Sequence, residues 1–300
     1  LLGVQLPFSI CCHNIMSDTC KLYAVIVKLN CLILKSIPNS LFHASSGFKL
    51  SLPLAPEPTQ NLSLYVGERK LLLYLALNFK QSNISVSNAI EVAQGARGYK
   101  NFTRGTMHCS DVKAGSIVGY ARTASIAAAE APLESSDIIR ARRMNYYKHM
   151  SEGPKPSIAV VEDIDFPNCV GAYWGEVNTN VHKSFGISGA LTNGVMRDLG
   201  DLPDGFPVIA GSIGPSHMFT HVKTIGEGAN IFGMEVKEGA LLHADQHGAI
   251  VIPDNVISDL YSAINTLLKT EKLILEPSKK GPMSFKEFEE AWSIFEKSRT

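Results

Sequence analysis

The sequence predicts an α/β fold class for residues 83–300. Short segments of strand length occur at residues 158–161, 190–193 and 207–210, of which the first and the last are apolar, and amphipathic segments with helical spacing lie between and after them. Short strands that alternate with helices are typical of α/β domains. The hydrophobic content of 45% and the charged content of 19% are ordinary for a globular protein.

Composition and charge argue against two classes of function. The 28 basic and 28 acidic residues give a formal net charge of zero, whereas a nucleic-acid-binding protein usually has a basic excess. The longest apolar run, residues 22–37, is interrupted by Lys28 and Lys35 and is too short to span a bilayer. Cys109 and Cys169 lie far apart and fit reduced thiols. We therefore expect a cytoplasmic protein that binds neither nucleic acid nor membranes.

Residues 1–82 show no sustained period of 2 or 3.6. The chain begins with Leu rather than Met, and residues 51–63 have the composition of a linker. Local and global signals disagree over this stretch. We interpret it as a leader of uncertain, poorly ordered structure. It is either an extra module or targeting segment, or non-native sequence joined upstream of the domain at 83–300.

The first elements of the domain are predicted from caps and periodicity. Ser85 or Ser87 can cap a helix that ends at Gly95 and Gly98. Residues 115–121 predict a strand, and residues 133–150 predict a helix. The side chains expected on the inward face of this second helix are Ile138, Ile139, Ala141 and Met144.

Residues 171–198 form the most informative stretch. They predict a loop, a helix, a turn and a strand, followed by a stop at Arg197 and Asp198. The side chains expected on one face of the helix are Trp174, Val177, Val181 and Phe185. Glu176 would then lie near the helix N-terminus, and the Arg–Asp pair at the C-terminal end of a strand. Open α/β sheets bind ligands at that end of their strands.

The remaining sequence predicts further strands and two helices. Strands are expected at 219–225, 241–244 and 249–252, with a hairpin turn between the last two. A helix opens at 253–254, with an apolar face of Val256, Ile257, Leu260, Ile264 and Leu267. A last helix starts at Ser284, which forms a capping box with Glu287. Its apolar stripe indicates packing, with a neighbouring subunit as one possible surface: Phe285, Phe288, Trp292 and Phe295.

Glu176, Arg197 and Asp198 have the chemistry of a site for a 2-oxo acid. One or two carboxylates that leave water in place suit Mg²⁺, and a guanidinium fork matches a carboxylate. Main-chain amides at the start of a helix attract anions. The structural alternative is a surface ion pair beside an acidic residue that complements a helix dipole. Spacing alone favours that alternative.

Two histidine patterns are weaker candidates for a metal site. His243, Asp245 and His247 alternate along a strand and turn and so share a face, but a polar hairpin end explains them better. His217 and His221 are four residues apart. The segment between them predicts a loop entering a strand, so no helical zinc motif follows.

Three segments together resemble the RraA-like family: GAYWGEVNTNVHKSFGISGALTNGVMRD, SHMFTHV and LLHADQHGAIVIP. That family contains the regulator of ribonuclease activity A and the aldolases for 4-hydroxy-4-methyl-2-oxoglutarate (HMG). The resemblance extends over residues 85–253. It implies a swivelling β/β/α-type domain with C-terminal helices. It also implies a homotrimer, or a hexamer of two trimers, with active sites between subunits.

The resemblance implies roles for individual residues. Aldolase members carry an acidic residue, twenty intervening residues and then Arg-Asp. Glu176, Arg197 and Asp198 reproduce this spacing, with Glu in place of the commoner Asp. Asp198 would hold Mg²⁺ or Mn²⁺, Glu176 would assist through water on the ion, and Arg197 would contact the 2-oxo acid. The substrate carboxylate would be bound by the amides of Gly171, Ala172, Tyr173 and Trp174.

The activity implied by the resemblance is that of a class II, metal-dependent aldolase. It would cleave an HMG-type 2-oxo acid in a retro-aldol reaction that gives pyruvate through a metal-stabilised enolate. Oxaloacetate decarboxylation is the related activity. Members that only inhibit ribonuclease tend to lack the acidic residue, so Glu176 favours an enzyme. The alternative is a non-catalytic regulator that binds a ribonuclease or another protein.

Overall fold

A computed structural model of the protein describes residues 83–299. Residues 1–82, including the predicted leader, lie outside the described residues. The α-helices are α1 (Asn83–Gln94), α2 (Ser136–Ser151), α3 (Glu176–Ser184), α4 (Ile257–Ser278) and α5 (Phe285–Arg299). Short 3₁₀ helices cover Val112–Ala114 and Asp254–Val256. Within the described part of the chain, no helix is long and apolar enough to cross a bilayer.

The strands form one large sheet and two small ones, which confirms the predicted α/β class. The large, curled sheet contains β1 (His108–Cys109), β2 (Ile117–Ala127), β3 (Ser157–Asp163), β5 (Ile187–Leu191), β7 (Val208–Ala210), β9 (His221–Ile225), β12 (Leu241–Asp245) and β13 (Gly248–Ile252). The first small sheet contains β4 (Ala172–Trp174), β6 (Val195–Met196) and β8 (Ser212–Ile213). The second is the hairpin of β10 (Ala229–Ile231) and β11 (Met234–Val236).

The long strand β2 organises the large sheet. The strand order is β1-β7-β5-β3-β2-β12-β13, and β9 also pairs with β2. Along one edge β2 pairs in parallel with β3, with Ala121 opposite Ile158 and Ala124 opposite Val161. Along the other edge it pairs antiparallel with β12 and then with β9. The resulting sheet is parallel from β2 to β7 and antiparallel at both ends.

The apolar run of β3 is buried on both faces of the sheet. Ile158 and Val160 pack into one hydrophobic cluster, and Ala159 and Val161 pack into another. Successive side chains of a strand point to opposite faces. A strand in the parallel part of a sheet is covered on both faces and therefore reads as a continuous apolar run.

The predicted apolar face of α4 is confirmed. All five expected side chains are buried, with Val256 in the 3₁₀ helix just before α4, and Leu260 and Ile264 pack with Val86 and Ile90 of α1. Helix α1 begins at Asn83, so Ser85 and Ser87 lie inside it rather than at its cap. The predicted hairpin of β12 and β13 is confirmed, but Asp245 pairs with Gly248, so the turn has two residues rather than the four between the predicted strands.

The structure corrects two predicted helix faces. In α2, Ile138 and Met144 are 51% and 46% exposed, and the buried side chains are Tyr146 and Met150. The inward face of α2 is therefore formed by Tyr146 and Met150, nearer its C-terminal end. The helix predicted to include Trp174 begins only at Glu176, because Trp174 belongs to β4.

The consequence for α3 is that its predicted apolar face is also different. Val177 is 72% exposed, and the buried residues of this helix are Thr179 and His182. The packing face of α3 is thus partly polar, so apolar side chains at helical spacing do not mark it.

The capping box of the last helix is confirmed. The Ser284 hydroxyl and the Glu287 carboxylate are 2.7 Å apart, and that carboxylate also accepts the Ser284 amide at 2.7 Å. The apolar stripe of α5 forms a ladder of ring contacts, with Phe288 and Trp292 centroids 5.6 Å apart. Phe285 is 75% exposed.

His182 is a buried, neutral histidine. Its Nδ1 lies 2.6 Å from the Asn178 carbonyl, and its Nε2 lies 2.7 Å from the Tyr146 hydroxyl. A carbonyl oxygen only accepts, so Nδ1 carries the proton and Nε2 accepts from Tyr146. Burial lowers the pKa of His182 to about 4.

This pKa predicts an acid-sensitive fold. Below pH 6.5, the usual histidine pKa, the unfolded chain takes up a proton that the folded chain refuses down to about pH 4. The folded-state pKa is depressed, so the stabilisation is present above pH 6.5 and is lost between pH 6.5 and 4. The free energy of unfolding should fall by up to about 1.4 kcal/mol per pH unit in this window from this group.

Urea denaturation at several pH values checks this prediction. The His182→Gln variant should show a shallower dependence on pH between 6.5 and 4 than the unmodified protein. His247→Gln is the control, because the His247 side chain is 47% exposed. Equal pH slopes in the His182→Gln variant and the unmodified protein would contradict the assignment.

Candidate functional site

The small sheet of β4, β6 and β8 brings the two predicted site segments together. Strand β4 pairs in parallel with β6, with Ala172 opposite Val195 and Trp174 opposite Met196. The amide of Arg197 donates to the Trp174 carbonyl at 2.8 Å, which continues the pairing by one residue. The start of α3 therefore lies beside the end of β6, where Arg197 and Asp198 follow.

Asp198 caps α3 from a distance of 22 residues in sequence. Its Oδ2 accepts the amide of Glu176 at 3.1 Å, whereas the N-cap residue itself is Gly175 and has no side chain to do so. A carboxylate at this position satisfies a free helical N–H and complements the helix dipole. Asp198 has a left-handed backbone with φ 58°, which Asp adopts more readily than most residues.

Arg197 is paired with the same carboxylate. Its Nη1 lies 3.2 Å from both oxygens of Asp198. Its Nε is buried and has no hydrogen-bond partner among the described residues. The guanidinium therefore keeps an unused N–H donor beside the start of α3.

Gly175 allows this close approach. A Cβ at residue 175 would lie 2.5 Å from Asp198 Oδ2 and 3.0 Å from Arg197 Nε. The backbone of Gly175 is extended, with φ −143°, so the requirement for glycine is steric. Any side chain at this position would force the Asp198 carboxylate or the Arg197 guanidinium to move.

A cavity of about 330 Å³ opens beside Arg197. Its polar lining includes Arg143, Tyr147, Asn178, Arg197, His217 and His221. The Tyr147 hydroxyl donates to Asn178 Oδ1 at 3.3 Å, and Asn178 Nδ2 donates to the Tyr173 carbonyl at 3.1 Å. These bonds hold α2 and α3 together along one wall.

Sequence reasoning missed the two histidines and Arg143 as lining residues. The Nδ1 atoms of His217 and His221 lie 2.8 and 2.7 Å from the carbonyls of Met218 and Phe219. Each Nδ1 therefore carries the proton, and each Nε2 is left as an acceptor. The four-residue separation of the two histidines was the available signal in the sequence. Because His217 lies in a loop and His221 in a strand, this spacing does not have the meaning that it has on a helix.

The four residues predicted to bind the substrate carboxylate occupy different environments. Ala172 and Tyr173 line the cavity, but the Ala172 amide already donates to the Ser216 carbonyl at 2.8 Å. Gly171 is packed against Ala128 and Thr220, and Trp174 is fully buried. Ala172 and Tyr173 are therefore the two members of this set at the cavity wall.

The donor set at Glu176 and Asp198 fits a hard divalent cation that keeps most of its water. The Glu176 carboxylate is exposed, and each Asp198 oxygen retains acceptor capacity beyond its present bonds. Mg²⁺ is bound in this way by one or two carboxylates. Across residues 83–299, no group of three His, Cys, Asp or Glu side chains is arranged to hold a metal. The residues therefore suit a water-rich ion and not a fully enclosed one.

The hairpin candidate does not form a metal site in the described structure. His243 is fully buried and Asp245 is buried, while Asp245 accepts the His247 amide at 2.8 Å and lies 3.2 Å from its Nδ1. This geometry is that of a polar hairpin end. Cys109 and Cys169 are free and half-buried, and burial raises the pKa of the Cys169 thiol to about 12.

The family model RraA-like (Aldolase/RraA) matches residues 85–251, more than half of the chain. This chain belongs to the RraA-like family. The match includes Glu176, Arg197 and Asp198, and it ends within β13. The family includes both aldolases and RraA proteins. Membership alone therefore does not distinguish an enzyme from a regulator, and the residues of the site must be considered.

Solved structures share the fold of this RraA-like protein at low sequence identity. A protein from Pseudomonas syringae pv. tomato str. DC3000 is 21% identical, with a TM-score of 0.54 over 82% of this chain and 99% of that chain. Streptomyces coelicolor RraAS2, described as an unusual member of the RNase ES inhibitor RraA protein family, is 18% identical. Its TM-score is 0.51 over 70% of this chain and 96% of that chain. A search of curated proteins found no match.

The close approach at Gly175 predicts a steric effect of a single methyl group. Gly175→Ala should lower the free energy of unfolding by about 1–3 kcal/mol, as is typical of overpacking, because the Cβ displaces Asp198 from the helix. Gly200→Ala is the control, since a Cβ there meets nothing within 4 Å. Chemical denaturation of both variants tests this. Equal stability of the two variants would show that the approach is not tight.

Proposed function

We propose that this protein is a divalent-metal-dependent lyase that cleaves a 2-oxo acid. The reaction is an HMG-type retro-aldol cleavage that gives pyruvate, with oxaloacetate decarboxylation as a related activity. One observation carries the proposal: the Arg197 guanidinium, the Asp198 carboxylate and the first amide of α3 lie within hydrogen-bond distance around Gly175. This arrangement joins a cation-binding carboxylate to an anion-binding guanidinium at the edge of a cavity.

The cavity residues suit the charge changes of such a cleavage. The bond between C3 and C4 breaks, its electron pair stays with the pyruvate fragment, the C4 hydroxyl loses its proton and C3 gains one. Arg197 binds the 2-oxo acid and offsets the negative charge that develops on the pyruvate fragment, because a fixed donor stabilises charge best where it forms. His217 and His221 line the same cavity and offer Nε2 acceptors.

Asp198 and Glu176 are the residues that would hold Mg²⁺ or Mn²⁺. When bound, the ion supplies Lewis-acid polarisation of the 2-oxo group. Two contacts hold the Asp198 carboxylate in place, one with the Arg197 guanidinium and one with the Glu176 amide. The longer Glu176 side chain is exposed and would assist in holding the ion through water.

Arg197→Ala tests the proposed role of the guanidinium. Purified protein should release pyruvate from HMG or from oxaloacetate in the presence of Mg²⁺, and the variant should lose activity by about 10²–10³-fold, as when a charge-stabilising donor is removed. A coupled assay for pyruvate measures both. Arg140→Ala is the control, because Arg140 is exposed on α2 and does not line the cavity. Full activity in Arg197→Ala would refute this assignment.

Metal dependence is tested separately. EDTA should abolish pyruvate release, and added Mg²⁺ or Mn²⁺ should restore it. Asp198→Asn should weaken Mn²⁺ binding, measured by electron paramagnetic resonance, because the amide loses the negative charge. Glu176→Gln should weaken it less, since Glu176 is proposed to act through water. Unchanged Mn²⁺ affinity in Asp198→Asn would contradict the proposed ligand.

A regulator of ribonuclease is the competing function. It would be indicated if no 2-oxo acid were turned over while the protein bound a ribonuclease.

We also propose that the chain assembles as a trimer or as a pair of trimers, which sedimentation analysis measures directly. The domain at 83–300 is proposed as the unit that carries the activity.

A further inference from the structure

The cavity beside Arg197 contains a second arginine that the proposed chemistry does not use. Arg143 lies on α2 and lines the same cavity as Arg197, which follows β6. The two arginines therefore line one space of about 330 Å³ from separate elements. Among the described residues that line this space, none is acidic. Arg197 is paired with Asp198, which lies outside this lining, whereas Arg143 is not paired with a carboxylate of the described chain. The cavity therefore has an uncompensated positive charge for a second anionic group of a ligand.

Arg143 and its neighbour Arg142 have different surroundings. Arg142 donates to the Glu134 carboxylate at 3.0 Å and to the Val222 carbonyl at 3.2 Å, and so ties α2 to its neighbours. For Arg143, no hydrogen bond or ion pair is formed within residues 83–299. Arg142 is a structural residue, whereas Arg143 is exposed and its donors are available to a ligand.

Arg143 lies on the same side of α2 as a residue of the cavity wall. Arg143 precedes Tyr147 by one helical turn, so both lie on the same face of α2, and both line the cavity. Burial raises the pKa of Tyr147, and the Arg143 charge acts against that increase. The Arg143 charge therefore affects the Tyr147 hydroxyl, which donates to Asn178.

We propose that Arg143 determines substrate specificity by binding an anionic group at the end of the substrate farther from the reacting 2-oxo acid. This inference rests on the proposed function, in which Arg197 takes the 2-oxo acid end. A substrate with a carboxylate at the far end engages both arginines. A substrate with a methyl group there leaves Arg143 without a partner.

Two unreactive probes of equal chain length test this binding directly. 2-Oxoglutarate and 2-oxopentanoate share the 2-oxo acid end and differ in a distal carboxylate or methyl group. In calorimetric titrations with the full chain and Mg²⁺, Arg143→Ala should weaken 2-oxoglutarate binding about 10- to 100-fold, the usual value for a charged hydrogen bond. Binding of 2-oxopentanoate should not change. Arg143→Lys, which keeps the charge but not the fork, should recover part of the affinity.

Two further variants make the result specific. Arg197→Ala should weaken both probes, because both carry the 2-oxo acid end. Arg140→Ala, which removes a charge one turn earlier on α2 and outside the cavity, should weaken neither. The inference is overturned if Arg143→Ala weakens both probes equally, or neither, or if the unmodified protein binds the two probes with the same affinity.

The matched substrates separate this inference from the proposed function. The kcat/KM of Arg143→Ala should fall about 10- to 100-fold for 4-hydroxy-2-oxoglutarate, which gives pyruvate and glyoxylate. It should be unchanged for 4-hydroxy-2-oxopentanoate, which gives pyruvate and acetaldehyde. If neither compound is cleaved but 2-oxoglutarate binding still depends on Arg143, the proposed lyase activity fails and the specificity inference stands.

Discussion

The contact between the Asp198 carboxylate and the first amide of α3 is the interaction on which the candidate site depends. It links the end of β6 to the start of α3 at 3.1 Å and fixes Arg197 through the same carboxylate. A helix whose cap residue is glycine has no local side chain for its free amides. Asp198 supplies that partner, so one residue contributes to the helix and to the site.

This double use has a physical consequence for the chemistry. A carboxylate held by a helix N-terminus and a guanidinium is oriented before any ligand arrives, and a preoriented group loses little freedom on binding. Tyr147 and Asn178 also line the cavity and are held by their own hydrogen bond, and the Asn178 carbonyl accepts from the neutral, buried His182. The cavity is thus framed by hydrogen bonds that do not involve its free donors, Arg197 Nε and the Arg143 guanidinium.

Much of the fold was predictable because it rests on local signals. The apolar face of α4, the hairpin of β12 and β13 and the capping box at Ser284 follow from periodicity, turn length and cap spacing. The inward faces of α2 and α3 were not predictable in this way. Their buried residues include Tyr146 and His182, a polar pair that satisfies its own hydrogen bonds and so substitutes for apolar packing.

The sequence alone predicts that Glu176 lies near a helix N-terminus and that Arg197 and Asp198 follow a strand, because both are local features governed by backbone preferences. Tertiary structure alone decided that these residues meet, since the parallel pairing of β4 with β6 brings positions 22 residues apart into contact. It also decided that Arg143, His217 and His221 line the same cavity. Those residues come from α2, a loop and β9, and only the packing of these elements against one sheet brings them together.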